Sequence, residues 1–206
     1  MFGAKAEIAA REKGLDFDLV MVPFEMKTLY EPKHPEVLRI NPKRQVPVLI
    51  DGDLELFDST QIFEYLESLK PEPPLWPADL KARARARLLE HKSDEVYFPH
   101  VVRLMGDPKA LGAHEATALF YDEMEHTLDG REWLAGPYSY ADIAFYMAQL
   151  FGERMGTPMT DTHPNLQKWR DRMGDRPAVR QVAGSMGRYL FSIGRKLPAF
   201  LGKLSA

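Results

Sequence analysis

The spacing of apolar positions changes character once along the chain, near residue 70. Before that point the readings alternate in type. Residues 4–13 have the makings of a helix, and Asp16 to Val22 is strand-like. Two short apolar bursts follow, VPVLI and LELF, on either side of Asp51-Gly52-Asp53. Asp-Gly between two such runs predicts a β-hairpin. From Ser59 to Leu69 the apolar residues Ile62, Leu66 and Leu69 recur at helical spacing. This part of the chain reads as an α/β domain, residues 1–70.

Next comes PEPPLWPADL, from Pro71 to Leu80, with four prolines in ten residues. Such a segment is stiff and cannot continue a helix, so it is expected to link two domains. Beyond it nothing reads as a strand. Lys81 to Met105 is expected to be one long amphipathic helix, stopped by Gly106-Asp107-Pro108, and Lys109 to Leu128 a second one. Ser139-Tyr140-Ala141-Asp142 has the form of a capping box and should open a helix running to about Phe151. His163 to Met173 and Ala178 to about Ile193 supply two more helices. Residues 81–206 therefore read as an all-α domain. In KARARARLLE the arginines Arg83, Arg85 and Arg87 spread around a helix, which suits a solvated or interface surface better than a basic binding patch.

Composition narrows the classes of function. The 206 residues carry a formal net charge of -3, and no basic run interleaves with aromatics, so nucleic acid is not an expected partner. No apolar stretch approaches the roughly 18 residues of a membrane span, and the first residues carry Lys5, Glu7, Arg11, Glu12 and Lys13 where a signal peptide needs an apolar centre. The expectation is a cytoplasmic protein without membrane contact. With no cysteine in the chain, any sulfur chemistry must come with a ligand. The histidines show no ligand spacing, and no metal is expected.

Candidate chemistry concentrates in NPKRQVPVLIDGDLELFDST, from Asn41 to Thr60. Pro47 stands inside an apolar burst, where it suits a cis X-Pro bond at the start of a strand. Val46 would then offer its N–H and C=O to an extended peptide, as one strand does to another. The helix expected from Ser59 adds N-terminal N–H groups and a hydroxyl suited to a carboxylate, and Asp58 suits an ammonium. Together these fit an amino-acid zwitterion joined to a short extended peptide. The plainer alternative is that Pro47 only begins an edge strand and Asp58-Ser59 only caps a helix.

NPKRQVPVLIDGDLELFDSTQIFEYLE resembles the glutathione-binding half of the cytosolic glutathione S-transferase family. YSYADIAFYM and HPNLQKWRDRMGDRPAV are similar to that family's helical domain. The resemblance implies a thioredoxin-like N-terminal domain, an all-helical C-terminal domain and a homodimer, with glutathione as co-substrate. It assigns Val46, before a cis Pro47, to the cysteinyl unit, Gln45 to the backbone near the glycyl end, and Asp58 with Ser59 to the γ-glutamyl head. It gives Asp142 a part in folding and none in catalysis. Two departures accompany it. Asp58 stands where the family has Glu or Gln, one methylene shorter, which lengthens or hydrates the ammonium contact. The family's first strand, ending in the Ser, Tyr or Cys that assists the thiol, would stand upstream of Phe2, so no catalytic residue is assigned. Two expectations follow: residues precede Met1 in the natural protein, or glutathione is bound with weak or no transferase activity.

The electrophile is expected against the long helix, where Tyr97 with Leu104, and His100 with Arg103, share faces at helical spacing. For Tyr97 a place in the core, and for His100 a solvated or hydrogen-bonded helix position, are the plainer readings. The leading function is conjugation of glutathione to small, mostly apolar electrophiles. Glutathione-dependent cleavage of aryl ethers or halides is an alternative, as is a non-catalytic glutathione-binding or protein-interaction role on the same fold.

Overall fold

The computed structural model describes residues 1–22 and 33–205. They divide into two compact units, one of residues 2–73 and one of residues 74–206 together with Met1.

In the first unit, helix α1 (Phe2–Glu12) is rich in alanine, the best helix former, and buries Ala6, Ile8, Ala9 and Ala10. It ends at Gly14, whose φ of 57° is a left-handed stop. Ala6 and Ala10 pack on Ile62 and Leu66 of helix α3 (Ser59–Leu69), with Leu15, Leu49, Leu56 and Tyr65 closing around them. Lys13 ties the far ends of the two helices. Its buried ammonium donates to the carbonyls of Lys70 (2.7 Å) and Pro73 (3.0 Å) and pairs with Glu67 (2.6 Å). A cation at a helix C-terminus, bonded to two backbone carbonyls and paired with a carboxylate, is an arrangement that makes a buried lysine tolerable.

Between these helices lie α2 (Pro35–Ile40) and the hairpin of β1 (Val48–Asp51) with β2 (Leu54–Phe57). The strands pair antiparallel from Val48 opposite Phe57 to Asp51 opposite Leu54. The two-residue loop Gly52-Asp53 takes a positive φ at Gly52 (61°) and not at Asp53. That is the sign pattern of a II′ hairpin turn. Among the described residues the sheet has only these two strands. The strand expected over Asp16 to Val22 is not formed: that segment has no ladder partner there, and Leu19, Val20 and Met21 are exposed. Apolar alternation without a paired edge does not make a strand.

The second unit is wholly helical: α4 (Leu80–Lys92), α5 (Phe98–Gly106), α6 (Leu111–Thr127), α7 (Tyr140–Arg154), α8 (Pro164–Asp175), α9 (Pro177–Ser192) and α10 (Ala199–Ser205). α7 is its centre, with 12 of 15 residues buried, the pattern of a helix enclosed on all sides. The expected capping box opens it. The helix expected to run unbroken from Lys81 to Met105 is interrupted by a π-helical turn, Ser93–Tyr97, between α4 and α5. Pro99 is the reason: it has no N–H for an i−4 bond, and just before it Phe98 N–H reaches back five residues to the Ser93 carbonyl. Of the segment expected as a linker, residues 74–80 belong to this unit. Leu75 and Trp76 are buried, Tyr140 N–H donates to the Leu75 carbonyl (2.9 Å), and Arg83 donates to the Pro77 carbonyl (2.8 Å). Among the described residues no helix is long and apolar enough to cross a membrane.

Candidate functional site

The hairpin register assembles the site. Val48, the first residue of β1, lies opposite Phe57, the last of β2. The residues just before β1 and just after β2 therefore emerge at the same end of the sheet. These are Gln45, Val46 and Pro47 on one side and Asp58 and Ser59 on the other, so the two halves read from the sequence come together on neighbouring backbone.

The Val46–Pro47 bond is cis. Both residues are half-buried, and Val46 makes no hydrogen bond among the described residues. Gln45 is exposed, and its carbonyl accepts from the Asn41 side chain at 2.6 Å. Across the hairpin end, Asp58 adopts φ 75° and ψ 126°, a conformation costly for a residue with a Cβ. Its Oδ1 accepts from Thr60 N–H (3.0 Å) and Gln61 N–H (3.3 Å), so it is the N-cap of α3. Both bonds fall on Oδ1, and the exposed carboxylate keeps Oδ2 outside the cap. Ser59 begins the helix and is buried. The result is an exposed negative group and a helix N-terminus beside Val46, whose peptide groups meet no partner among the described residues. An ammonium, a carboxylate and an amide each have a complementary group here.

The four residues expected at the electrophile pocket do not stay together. Tyr97 is completely buried among Phe120, Tyr121 and Phe145, and its hydroxyl shares a 2.6 Å hydrogen bond with Tyr121, which in turn donates to the Thr157 carbonyl (2.9 Å). Burial, then the neighbouring Tyr121, hold the Tyr97 hydroxyl well above the usual phenol range. It offers neither a free donor nor a phenolate. Leu104, one turn pair further on, is buried as well. The face carrying Tyr97 and Leu104 is thus core, the plainer of the two readings for Tyr97. His100 is half-buried, with Nδ1 enclosed and without a hydrogen-bond partner among the described residues, and Arg103 is exposed. The helical domain has a cleft of about 390 Å³ bordered by His114, Tyr121, Asp122, Thr157 and His163, and none of the four residues lines it.

One residue at the site carried no expectation: Asn41, buried at the end of α2, bonds to both sides of the turn that leads into Val46. Its signal lay in plain view in the Asn-Pro pair that opens the motif, since Asn before a turn bonds the backbone two residues on.

Comparison with known proteins gives the arrangement its context. Residues 1–69 match the model of the glutathione S-transferase N-terminal domain, and residues 91–177 that of the glutathione S-transferase C-terminal domain. Glutathione S-transferase 3 of Zea mays is 30% identical over 192 residues, covering 85% of both chains. This chain belongs to the glutathione S-transferase family. Its first unit is accordingly a thioredoxin-like domain and its second the family's helical domain. A crystal structure of a glutathione S-transferase from Rhodospirillum rubrum F11 aligns with a TM-score of 0.79 at 25% identity, over 98% of this chain and 94% of that one. A different kind of relative is a stringent starvation protein A homolog of Haemophilus ducreyi, 29% identical over 124 residues. That match takes in 60% of this transferase-family chain and 55% of the relative, so the chain spans about half the length of that protein.

Proposed function

We propose that this protein binds glutathione at the hairpin end and joins its thiol to small, mostly apolar electrophiles. The observation that carries the reading is the hairpin register, which brings the peptide groups of Val46, without a partner among the described residues, to the same end of the sheet as the α3 N-terminus at Asp58 and Ser59. Val46 takes the cysteinyl unit in strand-like pairing, and Gln45 meets the backbone toward the glycyl end. Ser59 and the first N–H groups of α3 receive the γ-glutamyl carboxylate, and Asp58 Oδ2 receives the ammonium. His100 and Arg103 are the residues left to meet the electrophile. The same reading has the protein acting in the cytoplasm as a homodimer.

Calorimetric titration with glutathione is the test, on wild type and Ser59→Ala. Binding that weakens at least tenfold in Ser59→Ala is expected, from a lost hydrogen bond to a charged group. Turnover of a chlorinated nitroaromatic with glutathione then completes the case. A wild type that binds glutathione but conjugates no electrophile would favour a second reading, a non-catalytic binding protein. The similarity to stringent starvation protein A homologs supports that alternative. Absence of glutathione binding would overturn both.

A further inference from the structure

The loop leading into Val46 is organised by one buried side chain. Asn41, 4% exposed, closes α2 by donating its N–H to the Val37 carbonyl (3.1 Å). Its remaining groups then hold the three residues that precede Val46. Asn41 Oδ1 accepts from Lys43 N–H at 2.9 Å, its carbonyl accepts from Arg44 N–H at 2.8 Å, and Nδ2 donates to the Gln45 carbonyl at 2.6 Å. Within this clamp Arg44 sits at φ 56°, the left-handed region that disfavours any residue with a Cβ. Glycine would take that conformation freely, whereas arginine needs the surrounding bonds to keep it there. A buried carboxamide is itself costly unless donor and acceptor are both used, and here both are used on this loop.

The clamp ends next to Val46, the residue whose peptide groups have no partner among the described residues. We infer that Asn41 is a positioning residue for glutathione. It locks Lys43, Arg44 and Gln45 in one conformation, so Val46 presents its N–H and C=O in place before the ligand arrives. Binding then needs no ordering of the loop, which is how pre-organisation raises affinity. The inference rests on the glutathione reading proposed above.

The test measures glutathione affinity by calorimetry, together with the thermal unfolding midpoint, on four proteins: wild type, Asn41→Ala, Asn41→Asp and the double variant Asn41→Ala with Arg44→Gly. Asn41→Asp keeps an acceptor for Lys43 N–H but turns a carboxylate oxygen toward the Gln45 carbonyl. Both single variants should lose about tenfold in affinity, the scale of a lost structural hydrogen bond. Adding Arg44→Gly should recover about threefold, because glycine enters the left-handed region without the clamp. With a turnover assay, the loss should sit in the KM for glutathione, with kcat kept. Wild-type affinity in either single variant, or no recovery in the double variant, would overturn the inference. So would a loss that only follows a falling unfolding midpoint. Should Asn41→Ala fail to fold, Asn41→Asp with and without Arg44→Gly carries the same comparison. A wild type that does not bind glutathione would overturn the underlying reading, and this inference with it.

Discussion

Asp142 shows how a residue legible in the sequence acquires a role that local order does not contain. Its Oδ2 accepts from Ser139 N–H (2.9 Å) and from the Ser139 hydroxyl (3.2 Å), the local half of the capping box. Its Oδ1 accepts from Leu134 N–H (3.0 Å) and Trp169 Nε1–H (2.9 Å), which reach it from a loop and from α8. Burial pushes this carboxyl up to about 6, against the pull of those four donors. The folded value lies above the ordinary 3.8, so between about pH 4 and pH 6 the folded protein holds a proton that the unfolded chain has lost. The group's contribution is therefore fullest below pH 4 and falls away as pH rises to 6. Denaturant unfolding should find the stability gap between wild type and Asp142→Asn widening as pH falls from about 6 to about 4. A gap that narrows over that range would reverse the sign.

At the scale of elements, α10 is, like α2, a helix that periodicity did not announce. With seven residues it is too short to show a repeat, and it follows a Gly194 stop and Pro198. Tertiary packing makes it. Leu201 is fully buried, and α10 lies against α9 where two glycines leave room. A Cβ on Gly184 would stand 2.5 Å from the Leu204 carbonyl oxygen, and one on Gly187 would stand 1.9 Å from Ser205 Oγ. Ser205 can swing away, but the Leu204 carbonyl belongs to the backbone, so Gly184→Ala must push α10 outward. The expected cost is about 1–3 kcal/mol, typical of overpacking. Hydrogen exchange should show faster exchange confined to residues 199–205. Unchanged protection there would mean that α10 does not depend on this groove. The π-helical turn between α4 and α5 teaches the same lesson in reverse: its cause, Pro99, is written in the sequence, but a helical pattern that continues on both sides conceals it.

At the scale of the whole molecule, the proposed function assigns glutathione binding to one of two units, and that has a measurable footprint. Mass action stabilises whatever holds the ligand, by about 2.7 kcal/mol at a hundred times the dissociation constant. Glutathione should slow hydrogen exchange in residues 41–60, at the hairpin and the start of α3, and leave the amides of α7 unchanged. Ser59→Ala should shrink the difference at the same glutathione concentration. Protection that appears first in α7 would move the binding site to the helical domain.

The sequence by itself determined the class of each half, the hairpin around Gly52, the capping box and the cis bond before Pro47. All of these are local: each depends on φ preferences, turn chemistry or hydrogen bonds within a few residues. Only the tertiary structure decided that Asp16 to Val22 forms no strand, that Trp76 joins the helical core, that Tyr97 and Leu104 face inward while Arg103 faces out, and that Asn41 anchors the loop before Val46. The physical reason is common to them. A strand needs a partner, a helix face needs something to pack against, and a polar side chain is committed only when its neighbours in space are known.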